Sequence, residues 1–471
     1  MNGLNPATAT ASAAGDRIKL NVGGKLFETT VPTLRSGGPD SLLFALSNRS
    51  GHDPVFIDRD PEVFSVLLSL LRSNRLPSTS KRFSNQELID EALYFGIESH
   101  LRAALAPSRL NGIDASLFAT VKPSSDGVVS DFNAIESDGS LWAAHGGQIT
   151  VYDWNLSHTA TARTHLDFIN SVKRIELDVA AVGSLHGSGL HFYNLANGRR
   201  VHSTEWVDPS DVRIYKARVH AIADSVDSVY ASFDCHHGEN CVLMIDKSTM
   251  EISSEIGRMP GNSAKYMVPT KLTYVSELGL LVGSSVTSGA FGYSGYIRLW
   301  DPRTRNVVWE TMEPGSGRSS RFGDSLADVD VDLDVLALLK ICSKSGDLAM
   351  ADLRMLTEDP WLYLKEKNPS LRDVGRNGGG GGFAIHCYRK QAFVGRGGEL
   401  EVWSRVEANG GERIVSEEMY RRNYMDKLED SERGAIKKIE GGGDRLFVTR
   451  EDVEGIEVWQ SSHNSGAVAA S

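Results

Sequence analysis

RIKLNVGGKLFETTVPTL, residues Arg17 to Leu34, is the stretch from which the fold of this 471-residue chain can be worked out. Apolar residues alternate with polar ones before the pair Gly23-Gly24, which supplies a tight turn, and a second β-rich run returns from Leu26 to Val31. The stretch therefore predicts a β-hairpin that opens a domain. A glycine-broken passage follows, and the run from Ser41 to Asn48 has the apolar spacing of a helix.

Three more helices are predicted downstream from their end signals. Asp60 is placed to cap a helix that begins at Pro61, because proline at the first helical position loses no hydrogen bond. The residues Ser84 to Glu87 form a capping box ahead of a second helix, which Gly96 ends. A last short helix is expected from Glu98 to Leu105.

Several short blocks of this first part of the chain follow one another in a recognisable order. They are Asn21 to Gly24 with Phe27, Thr29 and Thr33-Leu34, Phe56 to Pro61 with Phe64, Leu71-Arg72, Leu76-Pro77, Glu87-Leu88, Glu91-Ala92 and Tyr94 to Ile97. In these blocks the chain resembles the BTB/POZ fold in its potassium-channel tetramerisation variant. The resemblance implies an α/β BTB domain over residues 17–105 that assembles into homo-oligomers.

The charged tripeptide Asp58, Arg59 and Asp60 has two interpretations. On chemistry alone it is a solvated loop in which Asp60 caps the next helix, since surface charges contribute little by themselves. In the family that this domain resembles, the tripeptide lies where neighbouring subunits meet, which implies a charged contact between subunits. Asp60 is able to serve both purposes.

The pattern of apolar residues changes after Pro107, where helical spacing is replaced by short β-rich runs separated by turn residues. A unit of strand, turn, strand, loop and strand recurs seven times with a period of 41 to 56 residues. The last strand of the unit has the copies ITVYDW (149–154), LHFYNL (190–195), VLMIDK (242–247), IRLWDP (297–302), LAMADL (348–353), LEVWSR (400–405) and IEVWQS (456–461). The strand before it has the copies LWAA from 141, VAAV from 179, VYAS from 229, LLVG from 280, VLAL from 335, AFVG from 392 and LFVT from 446.

These copies resemble a degenerate WD-repeat β-propeller, with Trp300-Asp301 as the literal Trp-Asp pair. The resemblance implies an all-β seven-bladed propeller, since such units bury their faces only against their neighbours. The seventh copy has no outer strand after it, so ASLFATV, residues 115 to 121, is expected to supply that strand and close the ring. The prediction is a multidomain chain: residues 1–16 a disordered tail, 17–105 the BTB domain, 106–112 a linker, 113–461 the propeller and 462–471 a second disordered tail.

Composition narrows the classes of function. With 50 basic against 61 acidic residues the net charge is −11, which provides no electrostatic footprint for nucleic acid or for an anionic membrane. Four cysteines in a chain of this length do not indicate a disulfide-stabilised secreted protein. Residues 1–16 lack the features of a signal peptide. No apolar run approaches the roughly 20 residues that cross a bilayer. We expect a soluble intracellular protein, located in the cytoplasm with the nucleus as an alternative.

Two side-chain clusters invite a metal-site interpretation. The run Cys235 to His237 with Cys241 offers thiolate and imidazole, but its spacing fits no strong zinc pattern. The alternating aspartates from Asp328 to Asp334 imitate a calcium loop, but Val335 stands where that loop requires glycine, so a strand with one acidic face is favoured. The spacing of residues identifies no catalytic arrangement, and we predict no enzyme activity, no metal and no cofactor.

The resemblances together imply a function. BTB domains of this type, when joined to a recognition module, act as adaptors that hold a cullin-based ubiquitin ligase. The expected function is therefore a substrate-specific adaptor of a cullin-RING E3 ligase, in which the BTB domain binds the cullin and oligomerises while the propeller recruits the substrate protein. Leu42, Leu43 and Phe44 are candidates for the cullin contact because their helix is too apolar for a solvated face, and a core role for all three stays open.

A second function is kept beside it. An oligomeric scaffold in signalling, without ligase activity, would use the same two surfaces. The sequence lacks an extra helical segment after Leu105 of the kind that some cullin adaptors use to enlarge their contact. Binding of the BTB-specific cullin distinguishes the two functions.

Overall fold

The computed structural model describes most of the chain, and the predicted tails at residues 1–16 and 462–471 lie outside the described residues. It describes residues 17–39, 41–49, 53–73, 76–105, 110–123, 128–260, 267–289, 292–314, 325–343, 345–366, 382–405, 419–426, 434–451 and 453–461. The chain divides into two compact units, Met1–Pro107 and Ser108–Ser471. None of the described helices is long and apolar enough to span a membrane.

The first unit is a small sheet covered by helices. Its central strand pairs antiparallel with the second strand of the hairpin and parallel with a short third strand. The elements are β1 (Arg17–Val22), β2 (Lys25–Thr30), α1 (Val31–Arg35), α2 (Leu42–Ser47), β3 (Val55–Ile57), α3 (Pro61–Ser73), a 3-10 helix (Ser78–Arg82), α4 (Asn85–Phe95) and α5 (Glu98–Leu105).

The helix ends of this unit follow the predicted signals. The carboxylate of Asp60 accepts the backbone N–H groups of Glu62 at 2.7 Å and Val63 at 3.2 Å, which caps α3. Ser84 and Glu87 form both bonds of the capping box, and Gly96 ends α4 with a φ of 70°. These three predictions are confirmed, because each signal acts within one turn of its own helix.

One local prediction is wrong. The hairpin's second strand ends at Thr30 and not at Val31, where α1 begins. The side chain of Thr30 accepts the backbone N–H of Thr33 at 3.4 Å, and Pro32 lies in the first turn of the helix. A threonine cap followed by proline starts a helix, and this pair outweighs the β-propensity of the residues before it.

The core of the first unit lies between one face of the sheet and the helices. Leu20, Val22 and Ile57 point from the sheet into this core, where they meet Phe64 of α3 and Phe95 of α4. The ring of Phe64 lies 5.0 Å from that of Phe95, centroid to centroid. The alternation of the strands thus places every second residue in the core and leaves the others on the outer face.

The second unit consists of seven sheets among the described residues, in agreement with the predicted seven blades. In each blade the first strand of the repeat is innermost. Blades 1 to 4 contain β5 (Asp131–Ala134), β6 (Leu141–His145), β7 (Gln148–Tyr152), β8 (His158–Arg163); β9 (Ser171–Arg174), β10 (Val179–Gly183), β11 (Leu190–Asn194), β12 (Arg199–Thr204); β13 (Arg218–Asp224), β14 (Ser228–Asp234), β15 (Asn240–Asp246), β16 (Ile252–Met259); and β17 (Lys271–Val275), β18 (Leu280–Gly289), β19 (Gly292–Asp301), β20 (Asn306–Pro314).

The remaining blades depart from this scheme at their outer strands. Blades 5 to 7 contain β21 (Leu326–Asp332), β22 (Ala337–Cys342), β23 (Leu348–Asp352), β24 (Leu362–Tyr363); β25 (Lys365–Glu366), β26 (Phe383–Tyr388), β27 (Gln391–Arg396), β28 (Glu399–Arg405), β29 (Met419–Asp426); and β30 (Ile436–Gly442), β31 (Arg445–Arg450), β32 (Ile456–Ser461) with β4 (Ala115–Val121). The segment after β24 leaves blade 5, and β25 adds a fifth, parallel strand to the outer edge of blade 6. The two blades are therefore joined by backbone pairing as well as by packing.

The ring closes as predicted. β4 pairs antiparallel with β32 along its whole length, from Ile456 opposite Val121 to Ser461 opposite Ala115. Leu110, assigned above to the linker, is 4% exposed and packs on the propeller core, and the N–H of Asn111 donates to the hydroxyl of Ser461 at 2.6 Å. The described end of the expected linker thus belongs to the propeller.

One detail of the repeat differs from the sequence pattern, and another explains it. The second strand of blade 5 starts at Ala337 and not at Val335, because Leu336 has a φ of 57° and belongs to the preceding turn. The aspartate that ends the third strand caps the next turn: Asp301 accepts the N–H of Arg303 at 3.0 Å. Asp352 accepts the N–H of Arg354 at 2.9 Å in the same way. This turn explains why aspartate recurs at that position.

Candidate functional site

The outer face of the BTB sheet carries an exposed apolar row. Leu26 of β2 and Phe56 of β3 flank Asn21 of β1 in the same register, and they are 65% and 61% exposed. The side-chain carbonyl oxygen of Asn21 is buried between them and accepts no hydrogen bond from the described residues. Two large apolar side chains around a buried acceptor form a surface that a protein partner can cover.

The candidate interface residues Asp58, Arg59 and Asp60 lie at the end of this row, and their roles differ. Arg59 is engaged within its own unit, because its guanidinium lies 3.7 Å from the ring centroid of Tyr94 and 3.6 Å from the carboxylate of Glu91. Asp60 caps α3. Asp58 is exposed, and its carboxylate has no ion pair with any described residue. Of the three, Asp58 is thus the most available to a second molecule.

The candidate cullin contact divides in a similar way. Leu43 is fully buried in the BTB core, so it holds α2 from inside and has no surface to offer a partner. Leu42 and Phe44 are half-buried, and Arg35 lies 5.9 Å from the ring centroid of Phe44. The three residues are therefore not one patch, and the accessible candidates on α2 reduce to Leu42 and Phe44.

Sequence reasoning missed Phe56, Leu26 and Tyr94 as surface residues. A signal was present for Phe56, since Val55 and Ile57 on either side face inward and strand alternation then turns Phe56 outward. The exposure of Tyr94 carried no such signal, because it depends on which face of α4 packs on α3.

The innermost strands of the propeller surround a central channel of about 980 Å³. The alternating aspartates of β21 point to this channel side, where Asp328 accepts the N–H of Ile385 at 2.9 Å and Asp330 accepts the N–H of Cys387 at 2.8 Å. In blade 1, Asp131 accepts the N–H of Val172 at 2.8 Å. An innermost strand has an unpaired edge, and these carboxylates satisfy the N–H groups that the next blade leaves open.

Lysines balance the charge of the channel wall. Lys271 lies 3.5 Å from Asp328 and 3.4 Å from Asp330, and Lys438 lies 2.7 Å from Asp131. Burial opposes the charge of Lys271, yet the two aspartates hold its pKa above the ordinary lysine value. Burial likewise opposes ionisation of Asp330, yet Lys271 and the imidazole of His386 hold the pKa of that carboxyl below its usual range. The wall is a network of compensated charges that joins blades.

The two clusters weighed above as metal sites are not brought together as ligand sets. Cys235 and Cys241 are buried, and burial raises the pKa of both thiols, whereas His236 and His237 are exposed. Within the described residues no three His, Cys, Asp or Glu side chains are arranged to hold a metal ion.

Comparison with known proteins agrees with this architecture. Residues 18–104 match the BTB/POZ domain family, and residues 125–461 match the family described as "At2g24240-like, C-terminal beta propeller". The chain belongs to the At2g24240-like BTB/POZ propeller family. The predicted resemblance and fold class are thereby confirmed: an α/β BTB domain of the tetramerisation type precedes an all-β propeller.

Several relatives match this chain over nearly its full length. BTB/POZ domain-containing protein At5g41330 of Arabidopsis thaliana is 34% identical over 456 residues, which span 94% of this chain and 96% of that protein. The BTB domain alone is 36% identical over 105 residues to KCTD9 of Mus musculus, covering 20% of this chain and 31% of that protein. Among solved structures, the Dos1 propeller is similar with a TM-score of 0.47 at 16% identity, over 71% of this chain and 78% of that chain.

The family membership defines a general role. BTB domains of the KCTD type mediate oligomerisation and protein interactions, and proteins that combine such a domain with a propeller are generally non-catalytic interaction proteins. The surfaces described above are therefore interpreted as docking surfaces for proteins.

Proposed function

We propose that this protein is a substrate-specific adaptor of a cullin-RING E3 ubiquitin ligase. The observation that carries the proposal is that the BTB domain offers two apolar surfaces on separate elements: the row Leu26, Asn21, Phe56 on the sheet, and the pair Leu42, Phe44 on α2. The first is suited to a second copy of the chain and the second to a cullin of the BTB-binding class. The propeller is the module that recruits the substrate protein.

The sheet row supports self-association in particular. A second copy would cover Phe56 and Leu26, and it would bring a donor within reach of the buried carbonyl oxygen of Asn21. Asp58 lies beside the row and provides a charge for the same contact, as the family resemblance implies. Interfaces with an apolar centre and charged rim residues are typical of stable oligomers.

The test of the cullin contact is binding of the full-length chain to the N-terminal domain of a BTB-binding cullin, measured by calorimetry. We expect Phe44→Ala to weaken this binding by about tenfold, because a half-buried aromatic ring is removed from the contact. Leu93→Ala, which removes a side chain 62% exposed on α4, is the matched control and should bind as the wild type does. Undiminished binding by a folded Phe44→Ala variant would move the contact away from α2.

The second candidate, an oligomeric scaffold without ligase activity, is favoured by one observation. Among the described residues between α5 and β4, positions 110–114 contain no helix that could enlarge a cullin contact. If the wild-type chain shows no binding to the cullin when the cullin concentration is raised to about ten micromolar, the scaffold role replaces the adaptor role.

Two finer statements belong to the same proposal. The turn aspartates Asp301 and Asp352 support interpreting the repeats as degenerate WD repeats, since they cap equivalent turns. The cytoplasm, with the nucleus as the alternative, remains the proposed location.

A further inference from the structure

Four consecutive blades of the propeller present short turns around one mouth of the central channel. These turns join the first strand of each blade to the second and span residues 175–178, 225–227, 276–279 and 333–336 in blades 2 to 5. They lie at the same end because the innermost strands run in the same direction, as the parallel steps of the bonds from Asp328 and Asp330 to Ile385 and Cys387 show for blades 5 and 6.

Three of the four turns carry an exposed apolar residue followed directly by aspartate. Leu177 is 73% exposed, Val226 is 88% exposed and Leu333 is 45% exposed. Leu177 and Leu333 line the channel mouth. Single exposed apolar residues are common on any protein, but their recurrence in the same turn of blades 2, 3 and 5 is not expected from chance exposure.

Three of the acidic residues beside these tips have no structural task of their own, whereas Asp334 beside Leu333 accepts the N–H of Lys390 at 3.0 Å. The carboxylates of Glu176, Asp178 and Asp227 accept no hydrogen bond and form no ion pair with the described residues. Turn geometry therefore does not require them, in contrast to Asp301, which caps its turn. The four turns contain no lysine or arginine, so the charged side chains that they themselves place around the apolar tips are all acidic. The cations next to the turns are already paired: Lys247 with Asp224, Arg174 with Asp138 and Arg303 with Asp301.

The remaining arc of the mouth lacks this combination. The corresponding turn of blade 6 carries Arg389 and Lys390, and Arg389 pairs with Asp444 in the turn of blade 7. The corresponding turn of blade 1, residues 135–140, carries the acidic Glu136 and Asp138 but no large apolar residue that is exposed. Among the described residues, an exposed apolar tip next to an acidic residue is thus found in this turn of blades 2, 3 and 5.

We infer that the turns of blades 2 to 5 dock a basic segment of a partner protein, whose apolar side chains pack on Leu177, Val226 and Leu333. The inference rests on the proposed role of the propeller as the recruiting module and specifies the partner's chemistry. Charge complementarity selects lysine and arginine, since the surrounding carboxylates repel a nucleic acid or an anionic lipid surface. The apolar tips select a polypeptide over a free polyamine.

The experiment uses the full-length chain and synthetic fluorescent peptides. One peptide combines lysine with leucine, the second replaces leucine by serine, and the third replaces lysine by glutamate. Binding is followed by fluorescence anisotropy at about 50 and about 300 mM salt, because exposed charges are screened over this range. We expect saturable binding of the lysine–leucine peptide that is at least about tenfold tighter than that of either other peptide.

Three variants locate the site. Leu177→Ser with Val226→Ser should weaken binding of the lysine–leucine peptide about tenfold and leave the salt dependence of that binding intact. Glu176→Gln with Asp178→Asn and Asp227→Asn should weaken it mainly at low salt and reduce the salt dependence. The matched control is Val207→Ser with Val212→Ser and Asp167→Asn, which makes similar changes in the connections at the opposite end of the inner strands and should change nothing.

Each other result overturns the inference. No saturable binding, equal binding of the lysine–serine peptide, or equal weakening by the control variant would show that these turns do not dock a basic apolar segment. Cullin binding measured on the same variants separates this failure from that of the adaptor role, since all three sets of substitutions lie outside the BTB domain. A chain that binds the peptide but no cullin retains this docking surface and loses the ligase assignment.

Discussion

The backbone N–H of Gly23 donates a hydrogen bond to the carbonyl oxygen of Ile57 at 2.9 Å, which ties the hairpin turn of the BTB domain to the segment that carries Asp58 and Arg59. Gly23 has a φ of +54°, and a Cβ atom at this position would lie 2.5 Å from the carbonyl oxygen of Arg59 and 2.9 Å from Cδ of Pro61. The two sequence blocks that identify the domain are thus held against each other through a residue that must be glycine.

We expect Gly23→Ala to destabilise the BTB domain by about 1 to 3 kcal/mol, because the added methyl group meets backbone atoms as well as an unfavourable φ. Gly24→Ala is the control, since Gly24 has a φ of +90° but nothing lies within 4 Å of the added Cβ. Gly24→Ala should lower the free energy of unfolding by less than Gly23→Ala does. Urea unfolding of the full chain followed by circular dichroism at the helix band reports on this domain, because every described helix belongs to it. Equal losses in the two variants would contradict the proposed close contact.

The oligomeric state tests the sheet row. Leu26→Ser with Phe56→Ser should weaken self-association about tenfold or more, and Asp58→Ala should weaken it less, because the buried centre of an interface contributes more than its rim. The measurement is the mass of the full-length chain by light scattering after gel filtration, over a dilution series. Leu93→Ser is the control for an exposed leucine elsewhere on the domain. If the mass is the same for all variants, or if the wild type is monomeric, the row is not the oligomer contact.

Ring closure predicts that the propeller loses more stability when the closing strand is replaced than when another outer strand is replaced. Replacing Ala115–Val121 by a glycine–serine segment of equal length should lower the unfolding temperature of the propeller more than the same replacement of Arg199–Thr204 in blade 2. β4 pairs the start of the propeller with its last blade, so its loss removes this backbone pairing and exposes the edge of β32, although side-chain contacts such as the Lys438–Asp131 ion pair still join blades 7 and 1. Tryptophan fluorescence reports on the propeller alone, because all 8 tryptophans lie after residue 107. Equal shifts would reject the special role of β4.

The pH dependence of the propeller should carry the signature of His191. Burial, together with a smaller contribution from the nearby imidazole of His165, lowers the pKa of His191 to about 4. Its ring nitrogens contact the carbonyl oxygen of Ser188 at 3.0 Å and the hydroxyl of Ser203 at 2.9 Å. The folded state therefore holds the neutral imidazole, while the unfolded chain takes up a proton below a pKa of about 6.5.

It follows that acid destabilises the propeller through this residue. Stability should fall as the pH drops through about 6.5, by on the order of 2 kcal/mol between about pH 7 and about pH 5, and the loss should end below about pH 4. His191→Gln should lower stability at neutral pH and flatten this part of the profile. His202→Gln, a partly exposed histidine of the same blade, serves as the control. An unchanged slope in His191→Gln would contradict the assignment to His191.

The amino-acid sequence alone determined the features that depend on neighbouring residues. The caps at Asp60 and Ser84, the end of α4 at Gly96 and the three inner strands of each blade follow from contacts within a few positions. The count of the repeats and the closing strand at Ala115–Val121 could also be predicted, because a repeat with one strand missing at its end requires that strand from its beginning.

Only the tertiary structure decided which residues face a partner. Leu43 is buried although Leu42 and Phe44 are half-buried, and Arg59 is held by Tyr94 although Asp58 beside it is exposed. The transfer of β25 from blade 5 to blade 6 and the turn tips Leu177 and Val226 were likewise beyond local patterns. Exposure is set by which elements pack on one another across long sequence distances, and periodicity describes one element at a time.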